Sequence, residues 1–438
     1  MESQEEYKRK TVSPEEAVQV IKSGDRVVFA APEPLTLGLA LAARRGELKD
    51  VKVLVYGPSR DFGWYDPGWE DSFQISIGYV LPIARQMMEE RRGDYLVPSL
   101  FAYPVVESME KADVYMVQLS PPDEHGFCSF GNSLWDKKKR VKEAKIVMAE
   151  VNEHFIRTYG DNFIHISEID YFVEHTPTGR IPGATDILGR KTSGPGEVEK
   201  KIAEYVGTLI NDGDVLEIGV GGTAEWIVPL GALDNRRDLG WFSENTVRGI
   251  ATLVRNGVIN GSRKTIHRGK AVGTAVGGGT KEEMDFINMN PQFEVYGSDY
   301  ILNPGVIAQN DNQVAINSAI SVDLTGQIAS ESAGPTMVSG TGGQLAFAIG
   351  ANLSRGGRNI TVFRSTARGD KVSRIVPMLE PGSIVTVPRT LADLIVTEYG
   401  IARLKGKTQR ERALELIAIA HPDFRAELKN EANKLFWP

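Results

Sequence analysis

One local unit occurs twice, near the start of each half of the chain, and it narrows the architectures available. At Ser13-Pro14-Glu15-Glu16 an N-cap residue is followed by proline at the first helical position and glutamate at the third, the pattern that starts a helix. Ala17, Val18, Val20 and Ile21 follow at helical spacing, and Ser23-Gly24-Asp25 ends the run. Arg26-Val27-Val28-Phe29-Ala30 then reads as a short strand leading into Ala31-Pro32-Glu33-Pro34. In the second half, an amphipathic stretch over residues 197–210 meets the turn Asp212-Gly213-Asp214, the strand Val215-Leu216-Glu217-Ile218 and the loop Gly219-Val220-Gly221-Gly222. The two turns align Gly24 with Gly213 and Asp25 with Asp214. The recurrence predicts two similarly built open α/β domains, residues 1–192 and 193–438, joined near Lys191-Thr192-Ser193-Gly194-Pro195-Gly196.

Further strand candidates at 51–56, 114–119, 145–151, 360–363 and 384–387 are short, apolar and bounded by Gly, Pro or charged residues. They read as buried, mostly parallel strands, whose carboxyl ends are the usual place for ligand chemistry. The 438 residues leave room for two or three such domains. No apolar run approaches the ~18 residues of a membrane span, and the amino terminus, MESQEEYKRKTVSPEE, fits neither a secretory nor a transit signal. With a single cysteine, Cys128, no intramolecular disulfide is possible, so a cytoplasmic protein is expected. A net charge of −7 argues against a nucleic-acid partner. The one basic run, Lys137-Lys138-Lys139-Arg140, reads first as a solvated helix face, with contact to a small anion as the sharper alternative.

There are 45 glycines, about one residue in ten against an average near 7%, and they gather at the ends of apolar runs. The loop Gly219-Val220-Gly221-Gly222-Thr223 lies between a strand and a short helical stretch at 224–228, so its backbone N–H groups can converge on an anionic atom. It lacks both the dinucleotide fingerprint and the Lys-Ser/Thr ending of a nucleotide-triphosphate loop. Leu239-Gly240-Trp241-Phe242-Ser243-Glu244-Asn245 is an apolar segment presenting a carboxylate where a strand would exit, and a second glycine loop follows at Ser339-Gly340-Thr341-Gly342-Gly343-Gln344. A carboxylate beside two sets of backbone donors suits acyl transfer.

Other conspicuous residues take plainer readings. The histidines are scattered, and no Cys/His spacing implies a metal. His125 reads as a loop hydrogen-bonding residue and Cys128 as a small buried apolar one. His267, in the basic segment at 264–270, reads as surface or packing, with contact to the phosphates of a ligand as the functional alternative. Phe62-Gly63-Trp64-Tyr65-Asp66-Pro67-Gly68-Trp69 reads as an aromatic loop packed at a domain or subunit interface.

The chain resembles the family I coenzyme A transferases, in particular the branch with 4-hydroxybutyrate, butyryl and acetate CoA-transferases and acetyl-CoA hydrolases. The resemblance rests on Ser243-Glu244-Asn245, Val306-Ile307-Ala308-Gln309-Asn310-Asp311-Asn312, Val322-Asp323-Leu324-Thr325-Gly326-Gln327, the 339–344 loop, Ser373-Arg374-Ile375-Val376-Pro377 and Val396-Thr397-Glu398-Tyr399-Gly400. Leu404-Lys405-Gly406-Lys407, His421-Pro422-Asp423-Phe424 and, in the first half, Ser120-Pro121-Pro122-Asp123-Glu124-His125-Gly126-Phe127-Cys128-Ser129 extend it over nearly the whole chain. One form of the motif has glycine after Glu-Asn where this chain has Thr246, so the match places the nucleophile but not the acyl chain.

The resemblance implies a CoA-transferase fold with the active site between its domains, and a homodimer. It implies Glu244 as the nucleophile that forms an acyl-glutamyl anhydride and then a glutamyl-CoA thioester. Backbone N–H groups of Val220, Gly342 and Gly343 would serve the oxyanion, while Gly219, Val220, Gly221, Gly222, Thr223, Gly340, Thr341, Gly342 and Gly343 would line the thioester end of CoA. Acyl-CoA and short-chain carboxylates are then substrates, with no permanently bound cofactor. For the aromatic loop at 62–69 the resemblance implies instead that some of its rings wall an acyl pocket. Asp323, Glu331 and Glu398 are read as structural anchors. A hydrolase using the same glutamate and a non-catalytic CoA-binding sensor are the alternatives.

Overall fold

The computed structural model describes residues 2–97, 111–175, 194–277 and 280–437. The chain forms two compact units, Met1–Arg190 with Thr274–Asp299, and Lys191–Gly273 with Tyr300–Pro438. The segment at 274–299 is tied into the first unit by backbone hydrogen bonds: Leu134 N–H donates to Thr274 O at 2.8 Å, and Phe293–Val295 pairs with Tyr159–Gly160 in parallel. A single cut in sequence does not describe that excursion. Of the linker expected at 191–196, residues 191–193 lie outside the described residues.

The first unit is built on a seven-stranded parallel sheet. Its strands are β1 (Arg26–Phe29), β2 (Val51–Val55), β3 (Phe73–Ile77), β4 (Asp94–Tyr95), β5 (Val114–Leu119), β6 (Ile146–Val151) and β7 (Tyr171–Glu174), in the order β7-β6-β5-β1-β2-β3-β4. In the second unit, β8 (Val215–Ile218), β9 (Gly240–Asn245), β10 (Gln313–Ser318), β11 (Arg358–Val362), β12 (Leu394–Thr397) and β13 (Gly400–Arg403) run in the order β13-β12-β11-β10-β8-β9. The β8–β9, β8–β10, β10–β11 and β11–β12 pairs are parallel and β12–β13 is antiparallel. Strands β5, β8 and β12 are buried at every position, which is why they read as unbroken apolar runs rather than alternating ones.

The repeated unit is the same turn in both places. Gly24 and Gly213 have φ of +83° and +86°, a region that only glycine enters without strain. The aspartate after each closes the turn, Asp25 Oδ2 accepting from Lys22 N–H at 2.7 Å and Asp214 Oδ2 from Asn211 N–H at 2.6 Å. Helix α1 (Pro14–Val18) precedes the first turn, with Ser13 Oγ accepting from Glu16 N–H at its amino end. Helix α2 (Leu35–Ala43) follows β1, helix α3 (Lys137–Glu143) precedes β6, and α4 (Glu197–Leu209) precedes the second turn.

Three expectations are corrected. Residues 384–387 form no strand; Val387 makes only an isolated bridge to Ile328, and Ile384 is 43% exposed. The aromatic loop at 62–69 packs within the first unit: Phe62, Trp64 and Tyr65 are buried, with Trp64 ring centroids 5.4 Å from Phe29 and 5.9 Å from Phe73. The basic run is not a solvated face. Lys137, on α3, is 1% exposed, and its Nζ donates to Ser133 O at 2.7 Å and Ser133 Oγ at 3.0 Å, while Lys138, Lys139 and Arg140 pair with Asp161, Glu143 and Asp136.

Burial drives the Lys137 ammonium down to about 7, because the charged form loses its hydration. The unfolded chain therefore binds more protons than the folded one from about pH 7 towards the lysine's ordinary range, and stability rises with pH across that window. Lys137→Met removes this dependence. Relative to the variant, the wild-type protein is expected to gain about 2 kcal/mol between pH 7 and 9, read by urea denaturation of both at the two pH values; parallel curves would show that Lys137 stays charged.

No helix among the described residues is long and apolar enough to cross a membrane.

Candidate active site

Glu244 is the fifth residue of β9, where the strand passes from fully to partly buried positions. The first half of β9 is fixed by its neighbours: Gly240 and Trp241 register with Val215 and Leu216 of β8, and Gln313 Nε2 donates to Phe242 O at 3.3 Å. The carboxylate thus leaves the sheet at its carboxyl edge. Its Oε2 accepts from Gly343 N–H at 2.5 Å.

Gly343 is the N-cap of helix α5 (Gln344–Leu353), so the carboxylate also meets the positive end of that helix. The approach leaves no room for a side chain. A Cβ on Gly343 would lie 2.2 Å from Glu244 Oε2 and 2.6 Å from Leu302 Cδ2. Burial nevertheless dominates: it pushes the Glu244 carboxyl up to about 7, and the Gly343 hydrogen bond only partly offsets this.

The loop leading into α5 is pinned from one residue. Glu331, buried, accepts from Thr341 Oγ1 through Oε2 at 2.6 Å, and its main-chain carbonyl accepts from Val338 and Ser339 N–H at 2.8 and 3.1 Å. The loop at 219–223 starts with Gly219 N–H donating to Ile316 O at 2.8 Å and closes with Ala224 N–H donating to Ser318 Oγ at 3.1 Å. A 3₁₀ turn, Ala224–Trp226, follows where a short helical stretch is expected. Val220 is 49% exposed.

A second carboxylate lies beneath this loop. Glu217, on β8, is 2% exposed, and its Oε2 accepts from Asn317 Nδ2 of β10 at 2.8 Å. Burial and the charge of Glu244 hold the Glu217 carboxyl well above the usual carboxylate range.

Residues 1–179 match the acetyl-CoA hydrolase/transferase N-terminal domain and residues 279–432 its C-terminal domain. The chain is 43% identical to the 4-hydroxybutyrate coenzyme A transferase of Clostridium kluyveri, over 100% of both proteins. The chain belongs to the acetyl-CoA hydrolase/transferase family. It is also 35% identical to the butyryl-CoA:acetate CoA-transferase of Anaerostipes caccae, over 99% of this chain and 98% of that protein. Among solved structures, RipA from Yersinia pestis superposes with a TM-score of 0.90 at 34% identity, covering both chains fully. The 4-hydroxybutyrate CoA-transferase of Porphyromonas gingivalis gives 0.76 at 34% identity, covering 99% of this chain and 100% of that one.

In this acetyl-CoA hydrolase/transferase family member, Glu244 and Gly343 are brought into contact, and Gly340, Thr341 and Gly342 share the loop that Glu331 holds. Gly219, Val220, Gly221, Gly222 and Thr223 form the loop that Ser318 closes. Gly343 N–H, expected to face an oxyanion, is engaged by Glu244 itself. Asp323 accepts from Thr325 and Gln327, and Glu398 from Ser365, as loop anchors would. His125 sits in an exposed loop, its N–H donating to Asp123 Oδ1, and Cys128 is buried, its thiol pushed up to about 12.

His267 packs in place, its Nε2 2.7 Å from Tyr300 Oη, and Lys264 of the same segment is buried, donating to Trp241 O and Lys270 O. Neither Glu217 nor Asn317 is singled out from sequence. The signal is there: Glu217 is the one polar residue of the buried strand VLEI, and Asn317 follows the buried apolar run Val314-Ala315-Ile316 in QVAINS, and such a placement is costly unless the group is partnered.

Raising the Glu244 carboxyl has a consequence for stability. Its ionised form is disfavoured in the folded protein, so the folded chain keeps a proton that the unfolded chain loses, and stability falls as pH rises from the ordinary glutamate range through about 7. Glu244→Gln is expected to be more stable than wild type by about 1–3 kcal/mol at pH 8 and indistinguishable at pH 4. Equal melting temperatures at pH 8 would mean that Glu244 ionises without penalty.

Proposed function

We propose that this protein moves coenzyme A between short-chain carboxylic acids, of the 4-hydroxybutyrate, butyrate or acetate type, by a ping-pong reaction through Glu244. The observation that carries the reading is the half-buried Glu244 carboxylate at a strand exit, held by the Gly343 N–H at the amino end of a helix. Carboxylates are modest nucleophiles; partial desolvation and a fixed direction make this one stronger.

In the first step a Glu244 oxygen attacks the thioester carbonyl carbon of acyl-CoA. The negative charge passes to the carbonyl oxygen, and Gly343 N–H, relieved of its bond to Glu244, joins the N–H groups of Val220 and Gly342 as donor to that oxyanion. The C–S bond then breaks, its electron pair leaves on the CoA thiolate, and Glu244 is left as a mixed anhydride. The thiolate attacks the glutamyl carbonyl carbon and expels the acyl carboxylate, leaving a glutamyl-CoA thioester. An incoming carboxylate runs the same steps in reverse and departs as the new acyl-CoA. Coenzyme A is substrate throughout, and the loops at 219–223 and 340–343 line its thioester end. The enzyme works in the cytoplasm as a homodimer, with residues 1–192 and 193–438 as its two domains apart from the return of 274–299 to the first, and with no nucleic-acid or membrane partner.

Intact mass after incubation with acetyl-CoA and no acceptor, followed by peptide mapping after borohydride treatment, tests the reading. A CoA adduct or a reduced residue is expected at Glu244, and added acetate, butyrate or 4-hydroxybutyrate is expected to discharge it as acyl-CoA. Free CoA accumulating without any acceptor would assign a hydrolase instead, and a bound but intact thioester without adduct would leave only a binding role.

A further inference from the structure

We infer that Glu217 is a positioning residue for the 219–223 loop that works in its neutral, protonated form: it holds the Asn317 side chain against that loop while keeping a second negative charge away from Glu244. The inference deepens the proposed reaction and rests on it.

Strand β8 lies between the strand that carries Glu244 and the strand that carries Asn317. On one side Val215 and Leu216 register with Gly240 and Trp241; on the other Glu217 and Ile218 register with Ala315 and Ile316. This placement sets Glu217 where it touches one partner directly and lies in the field of the other. Asn317 Nδ2 donates to Glu217 Oε2 at 2.8 Å. The opposite end of that amide faces the loop: a Cβ on Gly219 would lie 2.1 Å from Asn317 Oδ1. The Asn317 amide therefore occupies the space that a side chain at 219 would need, and Glu217 fixes its rotation. The chain Glu217, Asn317, Gly219 is continuous, and it ends at the loop whose Val220 N–H is assigned to the oxyanion.

The neutral form follows from the surroundings. Strand β10 presents an amide to Glu217, the loop at 219–223 carries no charged side chain, and the charge that bears on Glu217 from β9 is that of Glu244, of the same sign. The donors from β10, the Asn317 amide and the Ile316 main chain, favour the charged form, but burial and the like charge of Glu244 outweigh them, so the carboxyl gives up ionisation. Ionised Glu217 would also oppose the negative oxyanion on which the reaction depends. A protonated carboxyl has none of these penalties and still accepts from Asn317.

Glutamine copies the neutral carboxyl in shape and in acceptor, so Glu217→Gln and Glu217→Ala separate charge from position. Glu217→Gln is expected to keep the rate of CoA-adduct formation near wild type and to leave the acid limb of kcat/KM, set by Glu244, where it was. Infrared difference spectroscopy of wild type against Glu217→Gln at neutral pH is expected to show a protonated carboxyl C=O band belonging to Glu217. Glu217→Ala, which frees Asn317, is expected to lose about 100-fold in kcat, with circular dichroism to show that it folds.

A downward shift of the acid limb by about one unit in Glu217→Gln would reveal an ionised Glu217 whose repulsion had been raising Glu244, and would overturn the inference; so would a missing carboxyl band, or a folded Glu217→Ala as active as wild type. Absence of any adduct in wild type counts against the proposed reaction instead, and the infrared band still reports the state of Glu217.

Discussion

Glu244→Ala is expected to lower CoA transfer by at least about four orders of magnitude and to abolish the CoA adduct, with the fold intact. The size follows from the role proposed for the carboxylate: both covalent intermediates would be built on it, so no other residue could substitute along the same route, and removal of a nucleophile costs as much as removal of the machinery around it. The fold should survive because Glu244 belongs to the partly buried end of β9, past the positions that register with β8. Its removal also takes a raised carboxyl out of the protein, which favours the folded state at neutral pH. Single-turnover assays with acetyl-CoA and butyrate, alongside intact mass, read the outcome. Transfer within tenfold of wild type would move the nucleophile elsewhere.

Gly343→Ala is the second large effect. The added methyl would lie 2.2 Å from Glu244 Oε2 and 2.6 Å from Leu302 Cδ2, well inside contact distance for both, so either the carboxylate swings away or the first turn of α5 shifts. In both cases the hydrogen bond from Gly343 N–H to Glu244 is lost, and with it the donor proposed to follow the charge onto the thioester oxygen. Loss of one such donor is worth about 10² to 10³ in kcat, and misdirection of the nucleophile adds to it. Helix α5 itself tolerates the change, since Gly343 has an ordinary φ of −75° that alanine adopts. We therefore expect a folded protein, slow in adduct formation, with binding of free CoA reduced far less than kcat. Unchanged adduct formation would show that the contact is incidental.

The two sheets, the turns that open them and the exit of Glu244 from β9 are readable in the chain itself because each depends on neighbours a few residues away. Gly24-Asp25 and Gly213-Asp214 carry their own turn chemistry, a left-handed glycine and an aspartate that accepts from the residue three positions before it. Buried parallel strands announce themselves as short apolar runs, and the same rule misreads 384–387, where an apolar run crosses the surface with 43% of Ile384 exposed. It misreads Lys137 in the opposite direction: a run of four basic residues looks solvated until the packing of α3 turns the first of them inward onto Ser133.

Pairing at long range was decided by the tertiary structure alone. Glu244 and Gly343 stand 99 residues apart and Glu217 and Asn317 stand 100 apart; local pattern specifies that each lies on a strand or loop, but which strands become neighbours depends on burying the most apolar surface across the whole unit. The same holds for residues 274–299, which return to the first unit through backbone hydrogen bonds that carry no sequence signature. Sequence by itself determined the architecture and the place of Glu244 at a strand end, because turn chemistry and hydrophobic period act locally. The tertiary structure decided what surrounds Glu244, a backbone donor on one oxygen and a second buried carboxyl in its field, because desolvation and charge act through space.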